Sequence, residues 1–554
     1  MSDDDVQNDD GGAPEEAPTT ESSGDFLEDT FGITKAGSTV ETEIRAGVTT
    51  FLTMAYILFV NPNMLSLTGM PFEDALFATA VAAFVGCVIM GLWANLPFAL
   101  APGMGLNAYF TFSVVLYGFD GQVGWEIALA AVLVEGILFL ILSLPQVGAR
   151  SAMINAIPKD LKIATMAGIG MFLAIIGFRE MGWIQDDGAT LVNIAATENF
   201  THLEGGFWAL IGLIMMAALM AKRVKGAIVI SILVVSVIGW GLAGVEDADG
   251  NAGVHDTYND FYDDGGTWND EVSVELETDE GGNLTGNYTT SIDYGVTDVK
   301  AYAAAPEEWF GFVGLPKETM GAAFSALGDI GKECAEDDED CKSVGWGTFM
   351  MIMIAFFFVD IFDTSGTLYG VSKMAGRITE DDEIENSDEA FMSDAGATIV
   401  GSALGTSTVT SYIESAAGVE EGGRTGLTAV VAGVLFLTGL FFAGIFKAIP
   451  TFAVAPALVV IGAMMMRGAA EINWKDMEIA LPAFITIVLM PFTYSIADGI
   501  AWGLISYVMI KLGVGKHEEV IENRILSIIA LLMVMFYLGP GDQTTFEWIL
   551  DNLN

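Results

Sequence analysis

The amino-acid sequence predicts an all-α polytopic membrane protein with about fourteen transmembrane segments, arranged as two inverted repeats of seven. Apolar runs recur along the 554-residue chain, 52% of which is hydrophobic. Most of these runs are close to the ~20 residues that a helix needs to cross a bilayer. Short motifs of the first seven runs return in the second seven. Two runs, one in each half, are interrupted by helix-breaking residues at equivalent places.

The apolar runs give the predicted segments in chain order. The first repeat, 38–243, contains runs at 46–65, 75–95, 97–118, 124–143, 160–178, 206–222 and 226–243. A polar insert follows at 244–345. The second repeat, 346–512, contains runs at 347–371, 390–403, 405–420, 425–447, 450–468, 477–490 and 494–511. The C-terminal segment, 513–554, holds one more apolar stretch at 524–539, which is short for a span and leaves an interfacial position as the alternative.

Acidic residues dominate the connections between the apolar runs. Asp and Glu number 72 against 22 Lys and Arg, which gives a formal net charge of −50. They concentrate in the N-terminal tail, 1–37, in the insert and in the short connections. The tail is polar and poor in aromatic residues, so we expect it to be disordered. This surface argues against nucleic acid as a partner, because nucleic acids bind basic patches, and a dense acidic coat favours a halophilic source.

Basic residues fall mainly in alternate connections. Those with Arg150, Lys222 and Arg424 belong to one side of the membrane, and the connections on the other side hold few basic residues for their length. The positive-inside rule therefore predicts a multi-pass protein of the plasma membrane with a cytoplasmic N-terminus and an extracellular insert.

The insert carries two further patterns. Asn283 and Asn287 each begin a glycosylation sequon. Cys334 and Cys341 lie on either side of an acidic run. If this loop is extracellular, the two cysteines are expected to form a disulfide, with a metal site as the alternative.

Two motifs of the first repeat recur in the second. The pair Ile169-Gly170 returns 292 residues later as Ile461-Gly462, and Phe59-Val60-Asn61 corresponds to Phe358-Val359-Asp360. Because seven is odd, the second copy enters the membrane from the opposite side. Inverted repeats are typical of secondary transporters, whose substrate lies near the midplane between the copies.

The third and tenth runs are the interrupted ones. The third contains Pro97, Pro102 and two glycines, and the tenth contains Gly405 and several β-branched hydroxyl residues. Non-helical backbone at membrane depth is tolerated only inside protein or beside a cavity. We therefore expect two short extended segments that cross near the midplane, each followed by a half-helix that points its N–H groups at a ligand.

The eighth run carries ionisable groups in the middle of an apolar helix. Asp360, Asp363, Thr364 and Thr367 are spaced to share one helical face. A charged group costs about 2.5–3.5 kcal/mol at membrane depth and normally faces a cavity or a partner. The alternative is a capping or snorkelling acid at a helix end. Two more acids, Glu135 in the fourth run and Asp498 in the last repeat, fit either a structural or a functional role.

Four motifs together resemble the nucleobase:cation symporter-2 family, in particular its AzgA-like branch of adenine, guanine and hypoxanthine permeases. They read FFFVDIFDTSGTLYGV, LAPGMGLNAYF, TSTVTSYIESAAGVEEGGRTGLTA and LMPFTYSIADGIAWG. The likeness covers about residues 38–512 except the acidic insert. It implies a fold of fourteen spans split into a core domain and a gate domain, with short strands in spans 3 and 10 and substrate held between the two domains.

The resemblance also implies roles for individual residues. Asp360 and Glu414 match acids that contact the purine directly, and Asn107 matches an amide that shapes the pocket. Asp363 with Thr364 favours the purine branch over relatives that carry a histidine there. Gly103 and Thr408, in the interrupted spans, complete the expected substrate contacts.

The expected function is import of adenine, guanine or hypoxanthine by cation symport through alternating access. Asp360 and Glu414 are the expected proton carriers, with sodium as the other candidate ion. A uracil, xanthine or anion carrier of the same architecture is the alternative, and a channel or a membrane aspartic protease is a more distant one. The expected partners are a purine nucleobase, the coupling ion and the lipid bilayer. We expect no enzyme activity, no cofactor and no catalytic metal, and a homodimer remains an open alternative to a monomer.

Overall fold

The computed structural model describes residues 26–118, 123–147, 157–187, 191–195, 205–242, 272–278, 284–292, 305–306, 309–332, 344–379 and 384–537. Cys334, Cys341 and Asn283 lie outside this part of the chain, so the predicted disulfide and the first sequon are not described. Nor are the side chains of the strand that contains Asn287.

Helices account for nearly all of the described membrane segments. Within the described residues, seven helices are long and apolar enough to cross a membrane, and six shorter apolar helices accompany them. We number the segments as spans 1 to 14: Val40–Ser66, Phe72–Ala94, 100–116, Trp125–Ser143, Lys159–Glu180, Gly205–Ala221, Ala227–Leu242, Trp346–Ala375, Ser387–Leu404, 409–420, Gly426–Phe441, Thr451–Glu471, Met477–Thr493 and Ile496–Gly513.

Spans 3 and 10 begin as strands and continue as helices, as the sequence predicts. Span 3 consists of the strand Leu100–Pro102, the helix Met104–Ala108 and a π-helical continuation, Tyr109–Leu116. Span 10 consists of the strand Val409–Ser411 and the short helix Ser415–Glu420. The two strands pair antiparallel with Ala101 opposite Thr410. This pairing satisfies backbone groups that would otherwise lie unpaired at membrane depth.

The helices form two groups. In the core group, span 1 packs against span 11 and span 8 against span 4, while span 2 packs against span 11 and span 9 against span 4. When spans 1–7 are matched in order with spans 8–14, the contact of span 1 with span 11 corresponds to that of span 8 with span 4. The contact of span 2 with span 11 likewise corresponds to that of span 9 with span 4. In the gate group, span 5 packs against spans 12 and 13, and span 12 packs against spans 5 and 6. The core group thus comprises spans 1–4 and 8–11, and the gate group spans 5–7 and 12–14.

Spans 5 and 12 cross at a pair of glycines. A Cβ atom built on Gly170 would lie 2.6 Å from the carbonyl oxygen of Gly462, and one built on Gly462 would lie 2.2 Å from that of Gly170. Only glycine allows the two backbones to approach so closely. These are the two glycines that the 292-residue repeat matches with each other, so equivalent positions of the two repeats meet where the helices cross.

Smaller elements complete the described chain. Two hairpins pair Ile184–Asp187 with Leu191–Ile194 and Val272–Thr278 with Leu284–Ile292. Short helices occur at Phe26–Phe31, Ala322–Ala326, Ala443–Lys447 and His517–Glu522. The last helix, Arg524–Tyr537, packs on span 14, where the Tyr537 hydroxyl donates a hydrogen bond of 2.5 Å to Asp498 Oδ1. Asp498 therefore has a structural partner.

The insert returns to the core group at its C-terminal end. Asp74, in the first turn of span 2, accepts hydrogen bonds on Oδ2 from the backbone nitrogens of Lys317, Glu318 and Thr319, at 2.9, 2.9 and 3.2 Å. Thr319 also donates from its hydroxyl to Leu404 O at the end of span 9. Residues 309–332 are thereby fixed to the core group.

The expectation of a disordered tail over 1–37 is wrong for residues 26–37. Phe26–Phe31 is a helix, and the side chains of Phe31 and Ile33 are buried against Leu427 of span 11. The mean composition of the tail is polar, but its last residues include apolar side chains. Burial of these side chains stabilises the ordered segment.

Candidate functional site

Span 8 brings its carboxyl groups to the strand crossing. Asp360 is fully buried and Asp363 is 5% exposed. The Thr364 hydroxyl lies at the centre of a polar cluster, 3.2 Å from Asp360 Oδ1, 2.9 Å from Asp394 Oδ2 of span 9 and 2.8 Å from Thr410 Oγ1 of span 10. Because a hydroxyl has one proton, Thr364 can donate to only one of these partners at a time.

The strand crossing itself positions the third- and tenth-span residues. Gly103 N donates to Thr408 O at 2.9 Å. A Cβ on Gly103 would lie 2.6 Å from Thr410 Cγ2, so the close approach requires glycine. Asn107 accepts a 2.6 Å hydrogen bond on Oδ1 from the Ser407 hydroxyl. Its Nδ2 and the Thr408 hydroxyl are buried and have no hydrogen-bond partner among the described residues.

Glu414 immediately precedes the half-helix of span 10. Tyr56 of span 1 donates a 2.7 Å hydrogen bond to Glu414 Oε1. The Tyr412 hydroxyl donates to Pro102 O, which is a further link between the two interrupted spans. Glu414 and Asp363 interact electrostatically across the space between spans 8 and 10. All of these side chains belong to the core group.

The five acids of this region divide into two sets by the exposure of their side chains. Glu135, Asp360 and Asp394 have no exposed surface, whereas Asp363 and Glu414 retain 5% and 7%. One turn after Asp363, a Cβ on Gly366 would lie 2.5 Å from Met166 Sδ of span 5. Residues three apart share a helix face, so Asp363 lies on the side of span 8 nearer to the gate group. Asp360 adjoins Asp363 on the helix surface, and its carboxyl lies beside Glu135 of span 4 and Asp394 of span 9.

The structure brings the seven predicted site residues to one place. They come from spans 3, 8 and 10 and are Gly103, Asn107, Asp360, Asp363, Thr364, Thr408 and Glu414. The neighbouring aromatic rings pack on one another: Phe356 lies edge-on to Tyr109, with 5.2 Å between ring centroids, and tilted to Phe110 at 6.2 Å.

Sequence reasoning missed three members of this site. Asp394 is a charged residue within an apolar run, which is a signal that could have identified it. Tyr56 and Tyr412 carry no such signal, because a tyrosine in a membrane span is ordinary and its partner is set by the fold. For Glu135 the sequence leaves a structural and a functional role open, and the structure places it beside Asp360.

No cation neutralises these carboxyl groups within the part of the chain that the structure describes. None of the five acids forms an ion pair with a described Lys or Arg. Nor do the described residues contain a group of three or more His, Cys, Asp or Glu side chains arranged to hold a metal ion. The site is therefore a set of acceptors and hydroxyls beside a free amide donor.

Solved structures support the fold. The transmembrane domain of a cyanobacterial bicarbonate transporter, BicA, superimposes with a TM-score of 0.51 at 12% identity, over 83% of this chain and 97% of that domain. At this level of identity the likeness concerns the architecture alone. It agrees with the predicted fold of two repeats with interrupted spans.

Sequence comparison identifies the family. The sequence model of the Permease family matches residues 41–251 and 344–502, leaving out most of the acidic insert. The guanine/hypoxanthine permease PbuO of Bacillus subtilis is 34% identical over 511 residues, 92% of this chain and 100% of the relative. The adenine permease AdeP of Escherichia coli is 34% identical over 518 residues, 93% of this chain and 97% of the relative. The chain therefore belongs to the permease family, as its resemblance to the nucleobase:cation symporter-2 family predicts.

Proposed function

We propose that this permease imports the purine nucleobases adenine, guanine and hypoxanthine by proton symport through alternating access. The observation that carries the proposal is the acceptor-rich site at the strand crossing, in which Asp363 and Glu414 retain slight exposure and form no ion pair with a described Lys or Arg. Relatives that are named adenine and guanine/hypoxanthine permeases support the same substrate class.

The chemistry of the site suits a purine. A purine is a flat, neutral ring with N–H and amino donors and ring-nitrogen acceptors on its edges. The carboxylates of Asp360 and Glu414 accept from such donors, and a carboxylic acid or the free Asn107 Nδ2 donates to a ring nitrogen. An anion would meet unpaired carboxyl groups here, which disfavours an anion carrier of the same architecture.

Transport requires the site to open to each side in turn. The site residues belong to the core group, while Met166 and the rest of span 5 belong to the gate group. Movement of one group against the other would expose Asp363 and Glu414 to one side of the membrane and then to the other. The distribution of basic residues supports a plasma-membrane protein with a cytoplasmic N-terminus and an extracellular insert.

Uptake of labelled base by cells that express the permease tests the proposal. We expect saturable uptake of hypoxanthine, adenine or guanine that unlabelled purine competes. Asp360→Asn and Glu414→Gln should each abolish this uptake while the protein still reaches the membrane, because each removes an acceptor for the ring. Glu420→Gln, on the exposed end of the same half-helix as Glu414, is the matched control and should transport normally.

Two results would contradict parts of this proposal. Normal uptake in both site variants would refute the site assignment, and preference for uracil or xanthine in a panel of bases would refute the purine assignment. A protonophore should reduce accumulation by collapsing the proton gradient. If accumulation instead followed external sodium, the coupling ion would be sodium.

A further inference from the structure

Glu135 and Asp394 are the two buried acids of this cluster to which the proposed function gives no role, and Glu135 is the one that adjoins Asp360 directly. It lies in the middle of span 4 with no exposed surface. Neither of its carboxyl oxygens has a hydrogen-bond partner among the described residues. An isolated carboxylate in such a place is strongly disfavoured, so the group must be protonated, paired or both.

The Glu135 carboxyl faces two other acids. It lies within hydrogen-bond reach of the Asp360 carboxyl and close to that of Asp394. Asp360 Oδ2 and Asp394 Oδ1 also lack partners among the described residues. The remaining charged groups that face this cluster are Asp363 and, beyond it, Glu414. Four carboxyl oxygens thus converge without a donor.

A carboxylate only accepts hydrogen bonds, so two ionised carboxyls cannot bond to each other. A proton on one of them makes it a donor, and the pair then shares an O–H···O hydrogen bond, as two aspartates do in aspartic proteases. The Thr364 hydroxyl cannot replace this proton, because its one hydrogen can be donated only to Asp360 Oδ1 or to Asp394 Oδ2. The geometry therefore requires a proton between Glu135 and Asp360 when both occupy these positions.

We propose that Glu135 is a positioning residue that holds the coupled proton in a hydrogen bond with Asp360, where span 8 meets spans 4 and 9. This inference rests on the proposed proton symport. The proton binds as an O–H on the pair from water on one side and leaves to water on the other, and no other bond changes. In the proposed function Asp360 also contacts the purine, together with Glu414 and Asn107, so the proton and the substrate meet at the Asp360 side chain.

The arrangement links the two ligands through span 8. Asp360 shares the proton with Glu135 through Oδ2 and contacts Thr364 with Oδ1, and Thr364 contacts Thr410 in the strand that precedes Glu414. Loss of the proton leaves two like charges within hydrogen-bond reach, which repel and displace the Asp360 side chain. That displacement reaches the strand crossing through the Thr364 hydroxyl.

Purified permease in liposomes that contain a pH-sensitive dye tests the proposal. Added hypoxanthine should acidify the interior of wild-type vesicles as protons enter with the base. Glu135→Gln replaces the shared proton by a permanent amide donor of nearly the same shape. We expect this variant to lose the purine-driven acidification and the accumulation of base against its gradient, while exchange of labelled for unlabelled hypoxanthine continues. Glu126→Gln, in the first turn of the same helix, is the matched control and should acidify like the wild type.

The outcomes separate this inference from the proposed function. Purine-driven acidification by Glu135→Gln at the wild-type stoichiometry would overturn the role of Glu135. If Glu135→Gln loses both purine exchange and acidification, the role of Glu135 would also be overturned, because that result would indicate a structural role. If Glu135→Gln does not insert, Glu135→Asp, which keeps the carboxyl, should retain coupled transport, and uncoupled transport in that variant would overturn the proposal. Absence of purine exchange in the wild type would refute the proposed function itself.

Discussion

A single tyrosine on span 1 fixes the orientation of the tenth-span acid. The Tyr56 hydroxyl is buried and donates to Glu414 Oε1 at 2.7 Å. No other described side chain donates to the Glu414 carboxyl. A hydrogen bond to a charged group contributes about 1.5–3 kcal/mol, so this contact is a substantial part of what positions the acid for a ligand.

We expect Tyr56→Phe to raise the KM for purine uptake by roughly tenfold or more, because ~1.4 kcal/mol corresponds to a factor of ten. The phenyl ring keeps the packing, so expression and the maximal rate should change much less. Concentration-dependent uptake of hypoxanthine measures both quantities. Tyr507→Phe, on span 14 beside Lys511, is the control. An unchanged KM in Tyr56→Phe would show that Glu414 is held by other contacts.

At this scale the sequence predicted the acids and missed the groups that hold them. Asp360, Asp363 and Glu414 were predictable because charge in an apolar run is unusual. Tyr56, Tyr412 and the contact between Glu135 and Asp360 were not, since each partner lies on a span far away in the chain. A sequence motif identifies the unusual residue, and only the fold identifies its neighbour.

The interrupted spans are the elements that make the site. Strand residues from both halves pair in the middle of the molecule. Asn107 lies in the half-helix that follows the first strand, and Glu414 is the N-cap of the half-helix that follows the second. The sequence predicted this arrangement from proline, glycine and β-branched residues alone, because those residues disfavour helix wherever they occur. The register of the pairing could not be predicted, since three residues on each side allow several alignments.

The crossing of spans 5 and 12 gives a prediction about the gate group. Gly462→Ala should lower the melting temperature of the purified permease, because the new Cβ would lie 2.2 Å from Gly170 O and the helices would have to separate. Overpacking of this kind costs about 1–3 kcal/mol. Gly370→Ala in span 8 is the control, because a Cβ added there would have no neighbouring side chain or backbone within 4 Å. This variant should leave the melting temperature unchanged or raise it. Equal melting temperatures for the two variants would mean that the crossing is not tightly packed.

The two groups of helices are also joined by an ion pair on the side of the membrane that carries the N-terminus. Lys225, between spans 6 and 7 of the gate group, lies 2.7 Å from Glu421 of the core group. Arg45 of span 1, also in the core group, lies 3.3 Å from the same carboxyl. The Lys225 ammonium keeps the pKa of the Glu421 carboxyl below its usual value. The pair is therefore intact at neutral pH and is lost only as the pH falls through that lowered value.

A reversible crosslink at this place tests whether the groups move against each other. In a protein whose Cys334 and Cys341 are replaced by serine, Lys225→Cys with Glu421→Cys should lose uptake when a bifunctional methanethiosulfonate joins them, and regain it on reduction. Arg45→Cys with Glu421→Cys joins two parts of the core group and should transport after crosslinking. Uptake by the first crosslinked protein would contradict alternating access by relative movement of the two groups.

The clamp between Asp74 and residues 317–319 has a practical consequence. These hydrogen bonds fix the C-terminal end of the large hydrophilic insert to the core group, which contains the candidate site. A dye or an antibody fragment attached along 309–332 would thus move with the core group, and a second label on the gate helices would move with the gate group. Single-molecule distance measurements could then follow movement of the two groups from outside the bilayer, without altering any residue of the candidate site.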